Sequence, residues 1–201
     1  MKAYRIHEYG DSAKFIEDEV KKPSAKQGHV VVEVKASSLN PIDHKLLKSD
    51  LGINPALPGI LHMDVSGIIT EMGEGVSDFK KGDEIYGCAG GLQGEAGNIE
   101  GALADFMLAD SNLITLKPKS LSFSESAALP LVTITAWEGL FDRAHIKKED
   151  RVLIHGGTGG VGHIAIQLAR QHGARVATTV SSEGKAKVAR GLGAEDIIFY
   201  R

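Results

Sequence analysis

The sequence predicts an α/β chain in two parts, a β-rich barrel or sandwich followed by a doubly wound parallel sheet. Three observations carry this. Short segments rich in β-branched residues, separated by glycine and charge, run to about Leu116. Beyond that point the rhythm becomes helical, and from Arg151 to Tyr200 strand and helix patterns alternate strictly.

In the first part, His29 to Ala36 sets Val30, Val32 and Val34 against Val31, Glu33 and Lys35, the period of a half-buried strand. Val65 to Met72, Glu84 to Gly87 and Ala104 to Ala109 read as further strands. Gly73-Glu74-Gly75 and Lys81-Gly82-Asp83 supply the turns. After Leu116, Ser122 and Glu125 have capping-box spacing for an alanine-rich helix, and Pro130 opens a second helical run through Trp137 and Phe141. Then come a strand Arg151 to His155, a helix Val161 to His172, a strand Arg175 to Val180, a helix Ser182 to Leu192 and a strand Ile197 to Tyr200. This is half of a doubly wound sheet, and the sequence stops where such a fold continues with a second half.

Composition narrows the function classes. With 42% hydrophobic and 24% charged residues the chain can bury a core, and no apolar run reaches the roughly 20 residues of a membrane span. A net charge of −3 and scattered lysines favour no nucleic acid partner. One cysteine, Cys88, permits neither an internal disulfide nor a multi-cysteine zinc site, and fits a cytoplasmic location. His145, His155, His163 and His172 show no metal-like spacing.

Between the first strand and helix of the second part lies Gly156-Gly157-Thr158-Gly159-Gly160-Val161-Gly162, which satisfies G-x-G-x-x-G at Gly157, Gly159 and Gly162. The first glycine permits a tight turn, the second lets backbone approach a pyrophosphate, and the third lets helix pack on strand. No Gly-Lys-Ser/Thr follows, which excludes a Walker-type loop. Flanked by strand and helix, the turn predicts a dinucleotide site. An acid at the end of the second strand would hold the ribose of NAD, but this end reads Thr178-Thr179-Val180-Ser181-Ser182. Ser181, Ser182 and, one turn into the helix, Lys185 suit a 2′-phosphate, so the expected cofactor is NADPH. Glu183 lies beyond the strand end, where acids are common for dipole reasons alone.

Asn40-Pro41-Ile42-Asp43, Met63-Asp64-Val65-Ser66-Gly67 with Gly73-Glu74-Gly75-Val76, and Lys81 to Gly87 join the glycine turn as four ordered motifs. With them the chain resembles the medium-chain dehydrogenase/reductase superfamily, and within it the zinc-free quinone oxidoreductase group. The resemblance implies a GroES-like catalytic domain over 1–116. It assigns 117–201 to linking helices and the first half of a Rossmann NADP-binding domain. Zinc-dependent relatives carry a cysteine where Asn40 stands, a His-Glu pair at Met63-Asp64 and a second cysteine near Leu131, so no catalytic zinc is expected here. His62 falls one position early, and His44, Asp43 and Asp64 would have to build a site unaided. Gly90 to Gly101, where relatives carry a structural zinc lobe, has no cysteine and is expected to be a mobile loop.

The resemblance further places Asn40 beside nicotinamide and substrate as a neutral donor to a substrate oxygen, with Asp43 orienting its neighbours. Thr133 and Thr135 would pass under the cofactor, and Tyr200 would lie against the adenosine 2′-phosphate. The expected activity is metal-free hydride transfer from NADPH to a quinone or activated alkene. A 2-alkenal or enoyl reductase is the alternative within that class, and a non-catalytic NADPH-binding or interaction module the alternative outside it. A homodimer is expected for the full-length protein.

Overall fold

A computed structural model of the chain describes residues 1–94 and 97–200. These fall into two compact units, Met1–Leu131 and the residues from Val132 onward.

The first unit is built on antiparallel sheets. β1 (Lys2–Ile6), β2 (Ile16–Glu19) and β4 (Gly59–Ile60) form one sheet in the order β2-β1-β4. β3 (His29–Ser37), β5 (Asp64–Met72), β6 (Glu84–Cys88), β9 (Phe106–Asp110) and β10 (Ile114–Leu116) form the other, ordered β10-β6-β5-β3-β9. Val30, Val32, Val65, Ile69, Ile85 and Met107 fill the core over its inner face. Val31 is buried as well, where a half-exposed strand would have left it in solvent. α2 (Phe123–Ala127) lies against β3, β5 and β6.

The predicted capping box starts α2: Ser122 N–H donates to Glu125 Oε2 at 2.8 Å, and Glu125 N–H to Ser122 Oγ at 3.2 Å. Ser126 Oγ sits 2.8 Å from Ser66 Oγ with both residues fully buried. That contact ties 117–131 to the first unit, so the seam falls after Leu131, later than the change of rhythm at Leu116. Ser126→Ala is expected to cost about 1–2 kcal/mol of stability, because a buried hydroxyl partner is lost. Urea denaturation would measure it, and an unchanged midpoint would show that the pair does not hold the helix down.

The segment expected as a mobile loop carries two paired strands. β7 (Leu92–Gly94) and β8 (Gly97–Ile99) pair antiparallel, with Leu92 opposite Ile99, and only 95 and 96 lie outside the described residues. The registered ladder supplies the backbone hydrogen bonds that the sequence pattern concealed. α1 (Pro41–Lys48) has proline at its first turn and buries Leu46 against Ile6 and Leu61.

α3 (Pro130–Trp137) begins with the last two residues of the first unit and continues into the second, followed by a π-helical turn Glu138–Arg143. β11 (Arg151–Ile154), α4 (Gly160–His172), β12 (Arg175–Val180), α5 (Glu183–Leu192) and β13 (Asp196–Phe199) then alternate as expected, each within a residue or two of its predicted bounds. The three strands are parallel in the order β11-β12-β13. Ile154, Ile166, Ala169, Val176, Val180 and Ala186 form the core between sheet and helices. No helix among the described residues is long and apolar enough to cross a membrane.

Candidate functional site

The glycine turn is organised by the strand beside it. Gly156 N–H donates to Thr179 Oγ1 at 2.9 Å and Gly157 N–H to the Thr179 carbonyl at 3.3 Å, while Thr178 Oγ1 donates to the Ile154 carbonyl at 2.6 Å. Sequence reasoning missed both threonines. Two hydroxyls inside the apolar strand Arg175–Val180 were the available signal.

The positive φ of +66° belongs to Gly156, so the tight turn is made one residue before the motif's first glycine. Gly157 is needed for space: a Cβ there would collide with the Thr178 side chain and with Ile166. Gly162 keeps the expected packing role, since its Cβ would run into the Gly156 carbonyl. Gly159 is the N-cap of α4 and has no side chain to cap the helix. The first-turn N–H groups of Gly160, Val161 and Gly162 therefore lack a side-chain acceptor, at the positive end of a 13-residue helix. Gly159, Gly160 and Val161 are exposed and Thr158 half-buried. This cradle fits a dinucleotide pyrophosphate.

At the far end of β12 the structure gathers three of the four predicted residues. Lys185 Nζ donates to Ser181 Oγ at 3.0 Å, and the Tyr200 N–H donates to the Val180 carbonyl at 3.0 Å, which sets Tyr200 next to Ser181 in space. Ser182 is the N-cap of α5 and accepts from Lys185 N–H at 3.4 Å, so its oxygen already has a structural task. Thr133 is half-buried and lines an open depression of 580 Å³ with Ile134, Trp137, Glu138, Asp142 and Arg143; Thr135 is exposed.

In the first unit, Asn40, Asp43 and Asp64 form a buried polar cluster. Asp64 Oδ2 accepts from Ser38 Oγ at 2.6 Å and from Asn40 Nδ2 at 2.8 Å, and Oδ1 accepts from the Leu131 N–H at 2.9 Å. Asn40 Nδ2 also donates to Ser38 Oγ at 3.2 Å. Ser38 Oγ and Asp64 Oδ2 lie 2.6 Å apart, so both stand on one side of the amide nitrogen and share one of its hydrogens. The sequence could not show that Asp64, 24 positions on, faces this amide.

Asp43 was expected to orient its neighbours, and its bonds have that form. One oxygen accepts from the Asn40 N–H at 2.7 Å and the other from the His62 N–H at 3.1 Å. Burial raises its carboxyl pKa, against the lowering effect of those two N–H donors and of the nearby His62 ring. Burial likewise lowers His62 despite Asp43 and Asp64 nearby, and the ring Nδ1 lies 3.0 Å from Ser37 Oγ. Cys88 is pushed up to about 12, first by burial and then by the charge of Asp64.

The comparisons agree with this architecture. The family model for the alcohol dehydrogenase GroES-like domain matches residues 26–119, and that for zinc-binding dehydrogenases matches 160–201. The chain belongs to the medium-chain dehydrogenase/reductase superfamily, in its quinone oxidoreductase group. It is similar to a 2-methylene-furan-3-one reductase of Solanum lycopersicum, 38% identical over all of this chain and 52% of the relative. It is 33% identical to a quinone oxidoreductase of Rattus norvegicus, over all of this chain and 59% of that protein. A mycobacterial structure complexed with NADPH superposes with a TM-score of 0.85 at 28% identity, over all of this chain and 59% of that one. The chain thus spans between half and three fifths of the length of these superfamily relatives.

A zinc ion does not fit the residues at the positions where zinc-dependent members of the superfamily carry ligands. Asn40, Met63 and Leu131 offer neither thiolate nor imidazole, and Asp64 already accepts three hydrogen bonds, whereas a zinc site needs several such ligands converging. Among the described residues no three His, Cys, Asp or Glu side chains converge to hold a metal.

Proposed function

We propose that this chain holds NADPH and forms part of a reductase that delivers hydride to a quinone or an activated carbon–carbon double bond. The observation that carries the reading is the end of β12, where Lys185, Ser181 and Tyr200 stand together and no acid takes the ribose position. A 2′-phosphate there would meet a cation and hydroxyl donors, and a charge-assisted pair of this kind favours NADPH over NADH. The names of the tomato and rat relatives support the acceptor class, and the mycobacterial complex supports the cofactor.

NADPH supplies the hydride. The chain's own residues bind and orient: Gly159 to Gly162 receive the pyrophosphate at the start of α4, and Ser181, Ser182, Lys185 and Tyr200 select the 2′-phosphate. Thr133 and Thr135 on α3 and the Asn40–Asp43 segment contribute to the reducing end. Asn40 is held there with its amide nitrogen turned toward Ser38 and Asp64. Without a metal, rate comes from alignment and fixed dipoles. A homodimer and a cytoplasmic setting belong to the same proposal.

Steady-state NADPH oxidation against parallel panels of quinones and enones tests the reading. Turnover with either panel, and preference for NADPH over NADH, is the expected result. Absence of turnover with both would leave a nucleotide-binding module in place of an enzyme.

A further inference from the structure

Asp64 is fully buried at the first position of β5, and three groups from two polypeptide segments donate to its two oxygens. Ser38 and Asn40 come from the connection between β3 and α1, and the Leu131 N–H comes from the first turn of α3. A carboxylate has only acceptors to offer, so the Asn40 amide must turn its nitrogen toward Asp64. Ser38 strengthens that choice. Its own hydrogen goes to Asp64, leaving a lone pair that shares with Asp64 the Asn40 hydrogen directed at them both. The amide is held in one of its two orientations by a charge that is itself saturated. On the other oxygen, the charge sits at the N-terminus of the helix carrying Thr133 and Thr135, where an anion is favourable.

We propose that Asp64 is the positioning residue of the reduction site: it locks the orientation of Asn40 and the start of α3 through one carboxylate. This rests on the reductase reading for its catalytic consequence, although the anchoring itself does not. Asp64 touches no reacting atom; it acts through Asn40 and through the helix.

The test is Asp64→Asn, which preserves shape and removes the obligate acceptor. One of its two polar atoms then becomes a donor, so it must face Asn40 Nδ2, Ser38 Oγ or the Leu131 N–H with the wrong polarity. The expected result is kcat for NADPH-dependent reduction down about tenfold, from loss of alignment, with the KM for NADPH unchanged. Hydrogen exchange at the Leu131 amide should quicken by a similar factor, and Asp64→Glu should recover part of kcat. A variant that lost kcat and NADPH affinity together, with no rescue by Glu, would show Asp64 to be a general fold residue and overturn the assignment.

Should Asp64→Asn fail to fold, Ser38→Ala carries the same test. It removes the hydroxyl that braces the Asp64 carboxylate and shares the Asn40 hydrogen directed at it, which loosens the amide, and is expected to lower kcat several-fold at constant NADPH KM. Unchanged kcat in it would overturn the assignment equally. Lack of turnover in the unmutated protein sinks the reductase reading, whereas an unchanged Leu131 amide in Asp64→Asn sinks the Asp64 assignment by itself.

Discussion

Gly162→Ala is expected to abolish dinucleotide binding while leaving the first unit folded. A methyl group at this position would run into the carbonyl of Gly156, which is backbone and cannot rotate away. The carbonyl is also in use, accepting the Gly159 N–H at 2.8 Å to close the turn. To admit the methyl, α4 must lift from β11 or the turn must open. Overpacking of this kind costs about 1–3 kcal/mol. The loss of binding should exceed that cost, because the N–H groups of Gly160 to Gly162 are displaced from where the turn aims them. An affinity drop of roughly 100-fold or more corresponds to about 3 kcal/mol, within reach of a sub-ångström shift in such a cradle.

Calorimetric titration with NADPH measures the affinity, and a melt without cofactor separates it from stability. Gly184→Ala provides the control. That glycine lies inside α5 with open space around its missing Cβ, so alanine there is expected to be neutral or stabilising by about 0.5–1 kcal/mol. If Gly162→Ala bound NADPH as tightly as the unmutated protein, the turn would not be the pyrophosphate site.

The contrast between these two glycines shows which parts of the molecule were legible in the sequence. Periodicity marks Arg151 to Tyr200 as strand, helix, strand, helix, strand because each element buries one face on its neighbour and little else intervenes. The pattern is local, and so the reading follows it closely. What escaped depends on partners far away in sequence. Val31 is buried although it alternates with the core-facing Val30 and Val32, and no local alternation encodes that. The strands Leu92–Gly94 and Gly97–Ile99 carry glycine, which sequence rules read as loop, and only their cross-strand register makes them a ladder.

The same distinction governs the candidate site. Asn40 and Asp64 each stood out as residue types, but the direction of the Asn40 amide depends on a carboxylate that neither motif locates. Asp43, by contrast, lies three residues after Asn40, the capping spacing of a helix start, and its bond to the Asn40 N–H follows from that spacing. Cys88 gave no sequence signal beyond its solitude. Its environment, half-buried beside Asp64, pushes its thiol pKa up to about 12.

Lys185→Ala is expected to weaken NADPH binding by roughly 30-fold, about 2 kcal/mol for loss of one charge-assisted contact, and NADH binding by no more than about twofold. The asymmetry is the point of the test, since the two cofactors differ only by the 2′-phosphate. Lys185 is exposed and its ammonium already lies 3.0 Å from Ser181 Oγ, so the side chain is held over the end of β12. Removing it leaves Ser181 and Tyr200 as neutral donors, which recognise a hydroxyl almost as well as a phosphate. The lysine contributes little to folding, because its side chain contacts an exposed serine and its backbone N–H bond to Ser182 survives in alanine. Melting temperature should therefore stay put while the NADPH preference collapses. Raising ionic strength should shrink the difference between the unmutated protein and the variant, since the interaction is between charges at a surface. Equal losses for the two cofactors would move the 2′-phosphate away from this strand end and remove the main support for NADPH as the natural ligand.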